Sequence, residues 1–162
     1  MLLSQQRLSA QLKDIFSLSS PSEQTLLYYI PFPHTIWVGS GREALRQILL
    51  HCGKKKIGIP AYTCEVVLDA VLRAGGTPVF YDSGVSAEVA DIQTIIKNID
   101  VLVLCYNFGF LPDIVNIQKL CRKHDVILVE DCAQALGARF EGKPVGSFGD
   151  YAAHSFYPTK NL

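Results

Sequence analysis

Val126-Ile127-Leu128-Val129-Glu130-Asp131 sets four apolar residues directly ahead of two adjacent carboxylates. A continuous apolar run of this length reads as a strand buried on both faces, the pattern of a parallel sheet. Upstream, Asp100 to Cys105, Pro78 to Tyr81 and Ile57-Gly58-Ile59 are further short strand candidates, the last ended by Pro60. Segments of helical spacing lie between them. Arg42 to Cys52 carries Ala44, Leu45, Ile48 and Leu49 on one face with Gly53 as its stop. Glu65 to Ala74 is stopped by Gly75-Gly76, and Val89 to Ile99 and Pro112 to His124 follow. Strands alternating with such helices make βαβ units. The expected fold class is therefore α/β, a three-layer, mostly parallel sheet flanked by helices.

The acidic pair falls at the carboxyl end of its strand, the edge where open α/β sheets bind ligands. Successive strand residues point to opposite faces, so at most one of Glu130 and Asp131 faces such a ligand. A second short, mostly apolar run, Tyr151 to Phe156, leads to Lys160 near the chain's end. A carboxylate and an amine at adjacent strand ends are the two groups a pyridoxal 5'-phosphate site needs. The lysine forms the Schiff base, and the aspartate holds the pyridine nitrogen protonated. Gly39-Ser40-Gly41-Arg42-Glu43-Ala44-Leu45 places glycines just before a helix. Free backbone N–H groups and the positive end of the helix dipole suit that turn to a phosphate, the alternative being a plain helix start.

Three blocks carry a resemblance to a known family. They are Glu130-Asp131-x-Ala133-Gln134-x-x-Gly137-Ala138, Gly142-x-x-Val145-Gly146-Ser147-Phe148-Gly149-Asp150, and Ser155-Phe156-x-Pro158-x-Lys160-Asn161-Leu162. Together they resemble the DegT/DnrJ/StrS group, pyridoxal-phosphate-dependent aminotransferases of fold type I that act on nucleotide-linked keto sugars. Weaker similarity runs back to about Gly39. The resemblance implies that Lys160 carries the cofactor and acts as general base, and that Asp131 serves the ring nitrogen. It implies Gln134 near the ring hydroxyl, with Ser155 and the Gly41-Arg42-Glu43 turn on the phosphate. Arg42 stands where the family usually has Thr. Cys64 stands where an aromatic commonly covers the cofactor ring, which makes Tyr62 the candidate substitute; a packed residue at a helix start is the alternative. Tyr106 replaces a usual His, and no role is assigned to it. His154 replaces a commonly apolar residue and reads as a buried His. Relatives with His in place of the lysine act as dehydratases, so Lys160 implies transamination, with glutamate as the expected donor. The full-length parent is expected to be a homodimer.

With 162 residues, 49% of them hydrophobic, the chain can bury a core. Residues 1–35 read as an N-terminal helical segment, with Leu8, Leu12, Ile15 and Phe16 at helical spacing. Residues 36–162 read as the N-terminal part of a cofactor-binding large domain. A complete enzyme of the group continues beyond the lysine into a second domain, so the 162-residue chain alone is expected to be inactive. A truncated, non-catalytic remnant is the first alternative. An unrelated α/β nucleotide-binding module is the second, without a G-x-G-x-x-G fingerprint to support it. Fifteen basic and fifteen acidic residues give zero net charge, which argues against an electrostatic nucleic-acid binder. Cys52, Cys64, Cys105, Cys121 and Cys132 form no C-x-x-C pair, so neither a zinc site nor a disulfide framework is indicated. No apolar stretch is long enough to span a bilayer and the N-terminus lacks a signal-peptide pattern, so the expected location is the cytoplasm.

Overall fold

In β3 (Val101–Cys105) every residue is buried, and the side chains divide between two layers. Val101, Val103 and Cys105 pack on one side of the sheet with Leu45, Leu49, Val67, Ala70 and Val71. Leu102 and Leu104 pack on the other with Ile92, Ile95, Ile114 and Ile117. A strand covered on both faces has no polar alternation to show, which is why its sequence is one apolar run. The computed structural model describes residues 34–156. The helix expected over Leu3 to Phe16 and the segment carrying Lys160 lie outside the described residues.

The first layer of helices consists of α1 (Gly41–Cys52) and α2 (Glu65–Arg73), and the second of α3 (Val89–Ile95) and α4 (Ile114–Lys123). Between them lies a parallel sheet of β1 (Lys56–Pro60), β2 (Thr77–Tyr81), β3, β4 (Ile127–Asp131) and β7 (Tyr151–Ala153), in the order β2-β1-β3-β4-β7. Between β4 and β7 the chain makes a small antiparallel hairpin, β5 (Arg139–Phe140) with β6 (Lys143–Pro144). The α/β, three-layer expectation agrees with this architecture.

Local chemistry accounts for the boundaries. Ser40 caps α1, its Oγ accepting from the Glu43 N–H at 3.2 Å, and Gly53 ends the helix in the left-handed conformation at φ 61°. Asp113 caps α4 in the same way through the Asn116 N–H at 3.1 Å. The helix expected over Val89 to Ile99 is α-helical only to Ile95 and tightens to a 3₁₀ turn over Ile96–Asn98. The tighter turn is the usual ending where a chain must reverse quickly into a strand, and β3 begins at Val101.

Candidate active site

β4 ends in two carboxylates that the pleat sends to opposite layers. Glu130 goes to the side of α3 and α4 and is fully buried. Its Oε2 accepts from the Tyr106 hydroxyl at 2.5 Å and the Gly146 N–H at 2.6 Å, and its Oε1 from the N–H groups of Phe148 at 2.7 Å and Gly149 at 2.5 Å. Four donors replace the hydration that burial removes. Burial, and then the charge of Glu130, push the Tyr106 phenol far up, so it stays a donor. Glu130 thus belts the loop before β7 to the strand pair β3–β4.

Asp131 goes the other way, toward the layer of α1 and α2. It is paired in register with Cys105, whose thiol donates to Oδ2 at 3.9 Å, while Oδ1 accepts from the Ala133 N–H at 3.1 Å. The Thr63 hydroxyl donates in turn to Cys105 Sγ at 3.5 Å. Burial, and then the neighbouring Asp131 charge, hold the Cys105 thiol well above its ordinary value, so it remains protonated. Asp131 is only partly buried.

Beyond the end of β3 the chain turns through Asn107–Gly109. The Asn107 side-chain amide donates to the Tyr62 carbonyl at 2.9 Å, and the Phe108 N–H donates to Gln134 Oε1 at 2.9 Å. These bonds gather three segments around an open cleft of about 230 Å³ lined by Tyr62, Thr63, Cys64, Asn107, Phe108 and Gln134. Tyr62 and Cys64 therefore share one cleft with Gln134, which is far from them in sequence.

On the α1 side, the first turn of the helix meets the end of β7. A Cβ built on Gly41 would stand 3.4 Å from Ser155 Cβ and 3.6 Å from its Oγ. As first-turn residues, Gly41 and Arg42 have no intrahelical acceptor for their N–H groups. Arg42 and Glu43 send their side chains elsewhere. Arg42 Nη1 lies 3.3 Å from Asp69 Oδ2 on α2. Glu43 is bonded by Arg46 and Gln47, which hold its carboxyl at about 2. What these two offer the turn is backbone, with the Glu43 N–H already taken by Ser40.

Sequence reasoning did not single out Cys105, Phe108 or Asp69. Strand register is the one signal that would have found Cys105, since it ends its strand as Asp131 ends the next. Among the described residues no cluster of His, Cys, Asp or Glu could hold a metal ion, all five cysteines are free, and no helix is long and apolar enough to cross a membrane.

The family model for the DegT/DnrJ/EryC1/StrS aminotransferases matches residues 17–162. The UDP-N-acetyl-3-dehydro-alpha-D-glucosamine 3-aminotransferase of Acidithiobacillus ferrooxidans is 36% identical over 136 residues, covering 80% of this chain and 37% of that protein. GDP-perosamine synthase of Escherichia coli O157:H7 is 32% identical over 132 residues, covering 77% and 36% respectively. Among solved structures, the aminotransferase from Psychrobacter cryohalolentis superposes with a TM-score of 0.76 at 25% identity, covering 99% of this chain and 44% of that one. The chain thus spans well under half the length of these relatives.

Proposed function

The chain belongs to the DegT/DnrJ/EryC1/StrS aminotransferase family, and we propose that the intact protein is a pyridoxal-phosphate-dependent aminotransferase that aminates a nucleotide-linked keto sugar. The amino donor is an amino acid, glutamate in this reading, and the enzyme is a cytoplasmic homodimer. The observation that carries the reading is the convergence on one face of the sheet: Asp131 at the end of β4, and Ser155 against the first turn of α1.

The donor set fits the cofactor. Pyridoxal phosphate has a dianionic phosphate, a ring hydroxyl and a basic ring nitrogen. A helix N-terminus with a serine hydroxyl beside it suits the first. The Gln134 amide suits the second, and a carboxylate at a strand end the third. Gly41, Arg42 and Glu43 line the helix turn, while Tyr62 and Cys64 line the cleft that also holds Gln134. When bound, the cofactor supplies an electrophilic carbonyl and a ring that withdraws electrons from the reacting carbon.

The chain's own residues do the rest. Asp131 would accept the hydrogen bond of the ring N–H and hold that proton in place. Cys105, itself bonded by Thr63, keeps one of its oxygens turned. The Ser155 hydroxyl and the α1 amides anchor the phosphate and so fix the ring against sliding. Lys160 would hold the cofactor, and its Nζ would serve as the general base that moves a proton. The same residues would serve the half-reaction on the keto sugar.

Borohydride reduction of the intact protein, followed by digestion and mass spectrometry, tests the assignment. A pyridoxyl adduct is expected on Lys160. An adduct on Lys143 or another lysine, or none at all, rejects it.

A further inference from the structure

The turn after β3 is bent in a way its sequence does not require. Phe108 has φ 56° and ψ 16°, a left-handed conformation that bulky side chains avoid. Its neighbour Gly109, at φ 79°, supplies a positive φ without strain. Such strain persists only where the surroundings over-determine it, and it gathers at ligand sites. Here two hydrogen bonds hold the turn from either side, Phe108 N–H to Gln134 Oε1 and Asn107 Nδ2 to the Tyr62 carbonyl, both 2.9 Å.

The product of that bend is a pair of exposed rings at one cleft. Phe108 is 60% exposed and Tyr62 54%. Their centroids lie 6.5 Å apart at an interplanar angle of 36°. Two aromatic faces left in water forgo the burial such side chains normally gain. Two van der Waals gaps of about 3.5 Å make about 7 Å, so a small side-chain rotation admits a flat ring between them. Thr63, Asn107 and Gln134 line the same cleft and offer polar atoms to the edge of such a ring.

We propose that Tyr62 and Phe108 form a stacking clamp for a planar heteroaromatic ring, and that the strained backbone at Phe108 keeps its ring presented before the ligand arrives. The proposal rests on the function proposed above, which brings two such rings to the site, the cofactor's pyridine and the base of the nucleotide. It adds Phe108 as a ligand-binding residue and gives the strain a purpose.

Calorimetric titration of the intact protein with pyridoxal phosphate, with uridine diphosphate and with guanosine diphosphate, alongside thermal melts, tests it on Phe108→Ala, Phe108→Gly and Phe108→Trp. Phe108→Ala is expected to weaken one ligand class about tenfold, within the range of a lost stacking contact, and Phe108→Trp to retain affinity. Phe108→Gly should lose the same affinity yet melt above Phe108→Ala, because glycine takes a positive φ without strain. A merely structural phenylalanine would not separate melting from affinity in this way. A loss confined to pyridoxal phosphate identifies the pyridine as the clamped ring, and one confined to the nucleotides identifies the base. Unchanged affinity of Phe108→Ala for every ligand the unaltered protein binds, or Phe108→Gly melting below Phe108→Ala, overturns the clamp alone. An unaltered protein that binds none of the ligands overturns the proposed function together with it.

Discussion

Gly41, in the first turn of α1, lies directly against Ser155, just past β7: a Cβ on the glycine would reach within 3.4 Å of the serine's own. Two segments from opposite ends of the described chain thus make one small polar corner. If that corner holds the cofactor phosphate, Ser155→Ala removes one hydrogen bond to a charged group, worth roughly 1.5–3 kcal/mol. Affinity for pyridoxal phosphate should fall at least about tenfold, while affinity for pyridoxal, which has no phosphate, stays unchanged. Equal losses for both would place the phosphate elsewhere.

The two carboxylates of β4 should fail in different ways. Glu130→Gln sets an amide N–H₂ against backbone donors in a fully buried position and should cost about 3 kcal/mol or more of stability. Asp131→Asn should leave stability within about 1 kcal/mol and, if the proposed function holds, abolish transamination by the intact protein. Urea denaturation and turnover, measured on both variants, separate the two roles. Similar stability losses would show that the division between the layers is not functional.

A pH dependence follows from His154. Burial lowers its imidazole from the ordinary 6.5 to about 4. Between these values the unfolded chain binds a proton that the folded one does not. The contribution is therefore fully present above pH 6.5 and is lost as the pH falls toward 4. Loss of the Glu43 carboxylate's pairing falls lower, between 4.5 and about 2, and does not mask it. Melting temperature followed from pH 7 to 4 should drop less steeply in His154→Leu than in the unaltered protein.

Gly149 sits where no side chain fits. A Cβ there would lie 2.7 Å from the Leu128 carbonyl oxygen and 3.0 Å from that of Tyr151, both backbone atoms that cannot swing aside. Gly149→Ala should destabilise by roughly 1–3 kcal/mol, the usual range for overpacking. Gly142→Ala, which meets nothing within 4 Å but sits at φ 79°, should show only the smaller cost of its backbone conformation. Thermal melts of the two variants give the order.

The elements were legible because each carries its own period. Val101 to Cys105 is apolar throughout and buried throughout, and the spacing of Leu45 and Leu49 is the spacing of the face they bury. The opposed facing of Glu130 and Asp131 was legible too, from the pleat alone. What Glu130 does was not. Its donors come from Tyr106 and from Gly146, Phe148 and Gly149, and nothing local in β4 announces them. The ion pair of Arg42 with Asp69 was hidden for the same reason, since it joins two separate helices. Phe108 escaped notice because positive φ is expected of Gly and Asn, and both flank it.

Three of the four donors to Glu130 are main-chain amides, and this shapes how the sequence can drift. Side-chain replacement at Phe148, proline apart, cannot delete an amide donor, although Gly149 beside it has no room for a Cβ. The acceptor has no such latitude: it is one side chain, of one length and one charge. Mutational tolerance around this junction should therefore be uneven, with the donor function kept through non-proline replacement at position 148, closed to any side chain at Gly149, and nearly absent at position 130. A saturation library scored for folded protein would draw that contrast within a single hydrogen-bonded unit.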